Sequence, residues 1–302
     1  MTTHSTSPGS DVRDEIARQP DAWTRAISLA RDHADVLPEP GEKVAVIGCG
    51  TSWFMASAYA ALREGRGLGP TDAFAASELP REREYDRVVA ISRSGTTTEV
   101  VRAIESARCP VVAITGVAGT PVPEVASHAV VLDFADERSV VQTVFATTSL
   151  TLLRASVGDR LEPVVEQARE VLAGEHGLPS ALAEAGQVSF LGSGWAYGVA
   201  QEAALKVREA AQLWTESYLQ MEYRHGPIAV AEPGRAVWVL GTPVAGIVDD
   251  VAATGATLVN DDLDPMSDLV RAQRLAVERA ERSGLDPDRP RHLTRSVVLA
   301  DS

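Results

Sequence analysis

The sequence predicts an α/β protein built from two parallel sheets, each covered by helices. Three observations predict it. Short apolar runs ending in glycine or serine alternate with helical stretches, the pattern of parallel strands buried on both faces. The run Val44–Gly50 (VAVIGCG) returns 144 residues later as Val188–Gly194 (VSFLGSG), and each copy leads into an aromatic residue and an alanine-rich helix. A chain of 302 residues also exceeds the usual size of one domain.

The elements follow in order. Residues 1–39 read as a leader and a helical cap: a disordered start to residue 10, then two helical segments over 11–37 broken at Gln19 and Pro20, with Ile16, Trp23, Ile27 and Leu29 as packing residues. Residues 40–175 form the first domain. A strand up to Gly48 turns through Cys49 and Gly50 into a helix over Thr51–Leu62. A second strand, Arg87–Ser92, runs through RSGTTT (Arg93–Thr98) into a helix over Glu99–Ala107, and apolar strands at 110–115 and 128–133 complete the set. The helix around Ala146–Val157 and the segment Leu161–Glu184 lead to the second domain, 176–302. Both domains are expected to be three-layer α-β-α, flavodoxin- or Rossmann-like. The second has diverged: where the first carries ISRSGT, it has LGTPV at Leu240–Val244, and it is short between Asn260 and Gly284.

Composition excludes several function classes. The formal charge is −14 with no Lys/Arg cluster, which argues against nucleic acid and anionic membrane as partners. No apolar run reaches the ~18 residues of a membrane span, and the start MTTHSTSPGS lacks a signal pattern, so a cytoplasmic protein is expected. Cys49 and Cys109 fit neither a disulfide framework nor a metal pair, and no metal or cofactor is expected. Lysine occurs only at Lys43 and Lys206.

A strand that ends in Ser92, Arg93, Ser94 and runs through Gly95 to Thr96 and Thr97 places hydroxyls and free amides at a helix N-terminus, where an anion is favoured. The alternative is that Thr96–Thr98 simply cap the helix. Gly50, Thr51 and Ser52 belong at the carboxyl end of the neighbouring strand, the side on which open α/β sheets bind ligands. A dinucleotide fingerprint fails at Trp53 and at Tyr197, and no P-loop pattern occurs, so a monophosphate fits better.

The stretch Ala196–Trp214 reads as one buried helix, apolar nearly all round. Its polar residues Glu202, Lys206 and Glu209 stand at i, i+4 and i+7 on one face. On a surface this would be an ordinary ion-pair ladder. In a buried helix, coupled carboxylates acquire the shifted proton affinities of acid/base chemistry. Arg208 lies off the face and reads as structural. His225 precedes a Gly226–Pro227 turn, whereas His128, His176 and His292 have no such setting.

These residues together resemble the SIS (sugar isomerase) family, in particular the tandem-SIS isomerase half of glucosamine-6-phosphate synthase and stand-alone sugar-phosphate isomerases and deaminases. The resemblance spans residues 11–302 and rests on CGTS (Cys49–Ser52), SRSGTT (Ser92–Thr97), ERSVVQT (Glu137–Thr143), EAALKVRE (Glu202–Glu209), EYRHGP (Glu222–Pro227) and the segment Asp288–Val298. It implies an enzyme acting on a hexose or hexosamine 6-phosphate. Ser52, Ser92, Arg93, Ser94 and Thr97 would bind the phosphate, with Gly50 and Thr51 beside them and Val140 and Gln142 bordering the sugar. Glu209 would be the base at C1/C2, with Lys206 and Glu202 steering charge. His225, supplied by the facing subunit of a homodimer, would open the ring. Two departures are expected to separate the chain from a synthase: it starts without an amidotransferase domain or N-terminal cysteine, and Arg295 stands where the synthase has its Schiff-base lysine, although a guanidinium forms no such imine. Removal of the C2 proton then leads to a ketose, to release of ammonia from a free amine, or to loss of the C3 hydroxyl when the amine is acetylated. A non-catalytic phosphosugar sensor is the alternative. It would need the loops at Ser52 and Ser92 but not the face of Glu202, Lys206, Glu209 and His225.

Overall fold

The computed structural model describes residues 7–299. Most of the expected leader, residues 1–6, lies outside them. The chain forms two compact units, and they are interleaved in sequence. One comprises Gln19–Asp136, Val144–Val165 and Thr294–Ser302, the other Met1–Arg18, Glu137–Thr143 and Glu166–Leu293. Boundaries drawn at 39/40 and 175/176 therefore do not describe the packing. The first cap helix and the stretch 137–143 belong with the second sheet, and the C-terminal tail belongs with the first.

The first unit is a five-stranded, all-parallel sheet in the order β2-β1-β3-β4-β5, with β1 Val44–Gly48, β2 Thr71–Ala75, β3 Arg87–Ser92, β4 Val111–Thr115 and β5 His128–Val131. Every residue of β1 and β4 is buried, as strands covered on both faces require. Edge strand β2 is half-exposed and too polar to be read as a strand from sequence. The helices are α2 Gln19–Asp32, α3 Thr51–Gly65, α4 Thr98–Ser106, α5 Pro121–Val125 and α6 Val144–Ser156. The expected break between the cap segments falls at Arg18, and Pro20 sits in the first turn of α2, where its missing N–H costs nothing. Trp23 is buried, and its indole N–H donates to Thr147 Oγ1 at 2.9 Å, fixing α2 on α6.

The second unit is a four-stranded parallel sheet in the order β7-β6-β8-β9, with β6 Gln187–Gly192, β7 Trp214–Leu219, β8 Ala236–Val239 and β9 Thr257–Val259. Around it run α1 Ser10–Ala17, α8 Ala196–Ala211, α9 Gln220–Tyr223, α10 Ile247–Thr254 and α11 Pro265–Arg282. Helix α7, Glu162–Ala173, passes from one unit to the other. The strand order repeats that of the first sheet with the fifth strand missing, which accounts for the shortness after Asn260: β9 is followed directly by α11.

The 144-residue repeat is geometrical as well as textual. Gly50 and Gly194 have φ of 55° and 54°. At Gly48 a Cβ would lie 2.6 Å from the Ser52 carbonyl carbon, and at Gly192 it would lie 2.4 Å from the Ala196 oxygen. Only glycine lets each strand end pass so close to the first turn of its helix.

Helix α8 is shorter than the sequence suggests. It stops at Ala211 because Gln212 turns left-handed (φ 53°), and Trp214 opens β7 with its side chain 71% exposed instead of closing a buried helix. No helix is long and apolar enough to cross a membrane among the described residues.

Candidate active site

In the first sheet the connection direction reverses between β1 and β3, the place where open parallel sheets bind ligands. Both expected loops leave from there. Gly50 is the exposed N-cap of α3, and Thr51 and Ser52 are buried in its first turn. After β3, Ser92, Arg93 and Ser94 are all buried, and the Ser92 hydroxyl has no hydrogen-bond partner among the described residues. Gly95 (φ 67°) lets the loop fold onto Thr120, whose Oγ1 would lie 2.0 Å from any Cβ placed there.

Capping does not explain the hydroxyls. Thr97 is the N-cap of α4 but makes no side-chain cap. Instead Ser94, Thr96 and Thr97 gather around Ser296 Oγ of the C-terminal tail, at 3.1, 2.9 and 3.5 Å. Arg93 donates to the Arg295 carbonyl at 2.9 Å, and Thr98 N–H donates to the Val297 carbonyl at 3.3 Å. Arg295 itself pairs with Asp136. Hydroxyls, a buried guanidinium and a helix N-terminus make a set of donors suited to an oxyanion.

In the second unit, Glu202, Lys206 and Glu209 share one face of α8 as their spacing requires. Lys206 Nζ lies 2.5 Å from Glu209 Oε2 and 3.5 Å from Glu202 Oε1. The ladder is not a surface one: side-chain exposure is 0% for Glu202, 1% for Lys206 and 19% for Glu209. Glu209 is thus the carboxylate solvent and small molecules reach, and Glu202 is the anchored one. Burial pulls the Lys206 ammonium down, but the charges of Glu202 and Glu209, the hydrogen bond to Glu209 and the charge of Glu137 hold it above its ordinary value. The lysine stays charged. Arg208 donates to the Thr215 carbonyl at 2.8 Å, in agreement with a structural role.

Glu137 was not singled out by its sequence context. It is 1% exposed, and its carboxylate accepts from the Thr143 N–H at 2.5 Å and the Thr143 hydroxyl at 3.0 Å. The only sequence signal was its place at the head of ERSVVQT. In the same stretch Val140 N–H donates to the Asp288 carbonyl at 3.1 Å, and the buried Oε1 of Gln142 has no partner among the described residues. His225 stands apart: it is exposed in the turn after α9, and no hydrogen bond joins its imidazole to the Glu202–Lys206–Glu209 face among the described residues. Exposed Leu219, Met221 and Val230 lie near it in sequence.

The protein-family model for the SIS domain matches residues 40–157, the stretch that holds the first sheet and its hydroxyl loop. Residues 40–157 are a SIS domain. Among curated proteins, the chain is 29% identical to a glutamine–fructose-6-phosphate aminotransferase (isomerizing) of Methanothermobacter thermautotrophicus, over 96% of this chain and 56% of that one. It is 30% identical to the protein of the same name from Aeropyrum pernix, over 70% and 43%. The chain thus spans about half the length of the curated relatives it matches. Among solved structures, a glucosamine-6-phosphate deaminase of Thermotoga maritima superposes with TM-score 0.80 at 24% identity, covering 96% of this chain and all (100%) of that one. A tagatose-6-phosphate ketose/aldose isomerase of Escherichia coli gives 0.77 at 19%, covering 94% and 98%. The chain therefore shares its fold with these two proteins over nearly its whole length.

Proposed function

We propose that the chain is a hexose or hexosamine 6-phosphate-processing enzyme that abstracts the proton at C2, made of two tandem SIS domains of which the second carries the catalytic helix. The observation that carries this reading is the buried Glu202–Lys206–Glu209 face with Glu137 beside it, a set of charges that binding alone does not need. Glu209 is the base. Lys206, fixed as a cation, stabilises the negative charge that develops on O1 or O2 as the enediol or enolamine forms, and Glu202 holds Lys206 in place. Phosphate binding falls to Ser52, Ser92, Arg93, Ser94 and Thr97, with the amides of Gly50 and Thr51. The product follows from the C2 substituent: a ketose from a hydroxyl; ammonia and a ketose from the amine of glucosamine 6-phosphate, by protonation at C1 and hydrolysis of the C2 imine with one water; and loss of the C3 hydroxyl as water from N-acetylglucosamine 6-phosphate. Leu219, Met221 and Val230, exposed and near His225 in sequence, are the kind of residues a second copy covers, which supports a homodimer in which His225 serves the partner's sugar.

The test is exchange in D₂O followed by NMR with glucosamine, galactosamine and N-acetylglucosamine 6-phosphates. The wild-type protein is expected to put deuterium at C2 of at least one. Glu209→Gln should slow that exchange at least ~10²-fold, the low end for loss of a positioned base, with affinity nearly intact. Binding without exchange for all three sugars would favour a phosphosugar sensor.

A further inference from the structure

Helix α1 is short, and its inward face consists of Val12, Glu15 and Ile16, all at most 4% exposed. A carboxyl group between two core aliphatics is expensive unless its oxygens are satisfied. Here the stretch 137–143 satisfies them: Glu15 accepts from the Arg138 N–H at 2.6 Å and the Ser139 N–H at 3.2 Å, and its other oxygen is in close contact with the Ser139 hydroxyl. The same hydroxyl lies 2.8 Å from the Val141 carbonyl. Ser139 has one proton and two acceptors, Glu15 and Val141. Each contact is a full two-centre hydrogen bond when Glu15 carries a proton and donates it to Ser139 Oγ while the hydroxyl donates to Val141; otherwise the two acceptors share one proton.

We propose that Glu15 is a positioning residue which, in its protonated form, latches residues 137–143 so that Glu137 is held beside Lys206 and Val140 and Gln142 are presented to the sugar. The part concerning the sugar rests on the function proposed above. The surroundings agree with a neutral Glu15. Burial and then the charge of Glu137 push it up to about 7, against hydrogen bonds from Ser139 and Arg138 that pull the other way. The remaining charges around α1 are committed elsewhere. Asp288 caps the helix through the N–H groups of Val12 and Asp11, Arg138 pairs with Asp11, and Arg13 pairs with Glu281 of α11. Above neutral pH, ionised Glu15 accepts the hydrogen bond of the Ser139 hydroxyl, which leaves the Val141 carbonyl without its donor, and sets a second negative charge against Glu137.

Thermal melts of the intact protein against pH test the latch without any substrate. Glu15→Gln keeps the donor and the acceptor but cannot ionise, so its melting temperature should gain on the wild type as pH rises from 5 to 7, by roughly 5–10 °C, and then run parallel. A constant offset across that range would show that Glu15 holds no proton and would overturn the proposal. With substrate, wild-type kcat should fall about tenfold between pH 7 and 8.5, Glu15→Gln should keep the acid-side rate without that fall, and Glu15→Ala should lose activity at every pH. An unchanged alkaline limb in Glu15→Gln would equally sink the idea. If no sugar phosphate reacts while the melting difference follows pH as stated, the latch stands and the proposed function fails.

Discussion

The two sheets start from the same plan and are used differently. Each has a glycine that brings the strand end against its helix, a second glycine near φ 55°, and a helix that begins at the point where the strand order reverses. In the first sheet the loop after β3 carries Ser92, Ser94, Thr96 and Thr97, while α3 is apolar at the positions that match the charged face of α8: Ala58, Leu62 and Gly65 stand where α8 has Glu202, Lys206 and Glu209. In the second sheet the loop after β8 offers Gly241, Thr242 and Pro243, and the cleft there is lined by Asp262 and Asp264, which would repel an anion. The repeat thus carries hydroxyl donors on a loop of one sheet and the Glu202–Lys206–Glu209 face on a helix of the other.

The division can be broken by moving its parts. Ser94→Ala with Thr97→Ala should weaken 6-phosphate binding by about 3–6 kcal/mol, taking 1.5–3 kcal/mol for each hydrogen bond to a charged group, and Thr242→Ala in the matching loop should change nothing. Calorimetric titration with a sugar 6-phosphate reads both; equal effects would mean that the phosphate is not assigned to one sheet. Next in size are the shared glycines. Gly48→Ala and Gly192→Ala each force a Cβ into backbone at 2.4–2.8 Å and should each cost about 1–3 kcal/mol in chemical denaturation. A neutral Gly192→Ala would show that the resemblance at the second turn is superficial. The smallest signal comes from mixing inactive Glu209→Gln with inactive His225→Ala protomers. If subunits exchange at random, half the dimers are mixed and hold one intact site, so about a quarter of wild-type activity should return. No return on demonstrated exchange would place His225 with its own chain's helix or outside the reaction.

What could be read from sequence was what local periodicity encodes. Buried strands β1, β3, β4 and β6 and the spacing Glu202, Lys206, Glu209 were legible because neither depends on distant partners. Edge strands β2 and β7 were not, since Thr71–Ala75 and Trp214–Leu219 are partly exposed and their polar residues break the apolar run. Glu15 and Glu137 were illegible for another reason: each looks like an ordinary surface carboxylate until residues more than a hundred positions away, or a loop folded inward, bury it. The same holds for Ser296, whose contacts lie about 200 residues upstream.

Those long-range closures have a consequence for how the chain is made. Val12 on α1 is capped by Asp288, 276 residues later, and the hydroxyl loop at Ser94 meets Ser296, 202 residues later. At a synthesis rate of ~5–20 residues per second, roughly 15–55 s separate the emergence of α1 from that of its cap. Neither unit can close its last contacts until residues 286–299 have left the ribosome, so the nascent first sheet must persist with its loop unclasped. Contacts of such sequence separation are slow to form. The final step of folding should therefore be the docking of two short C-terminal segments, one on each unit.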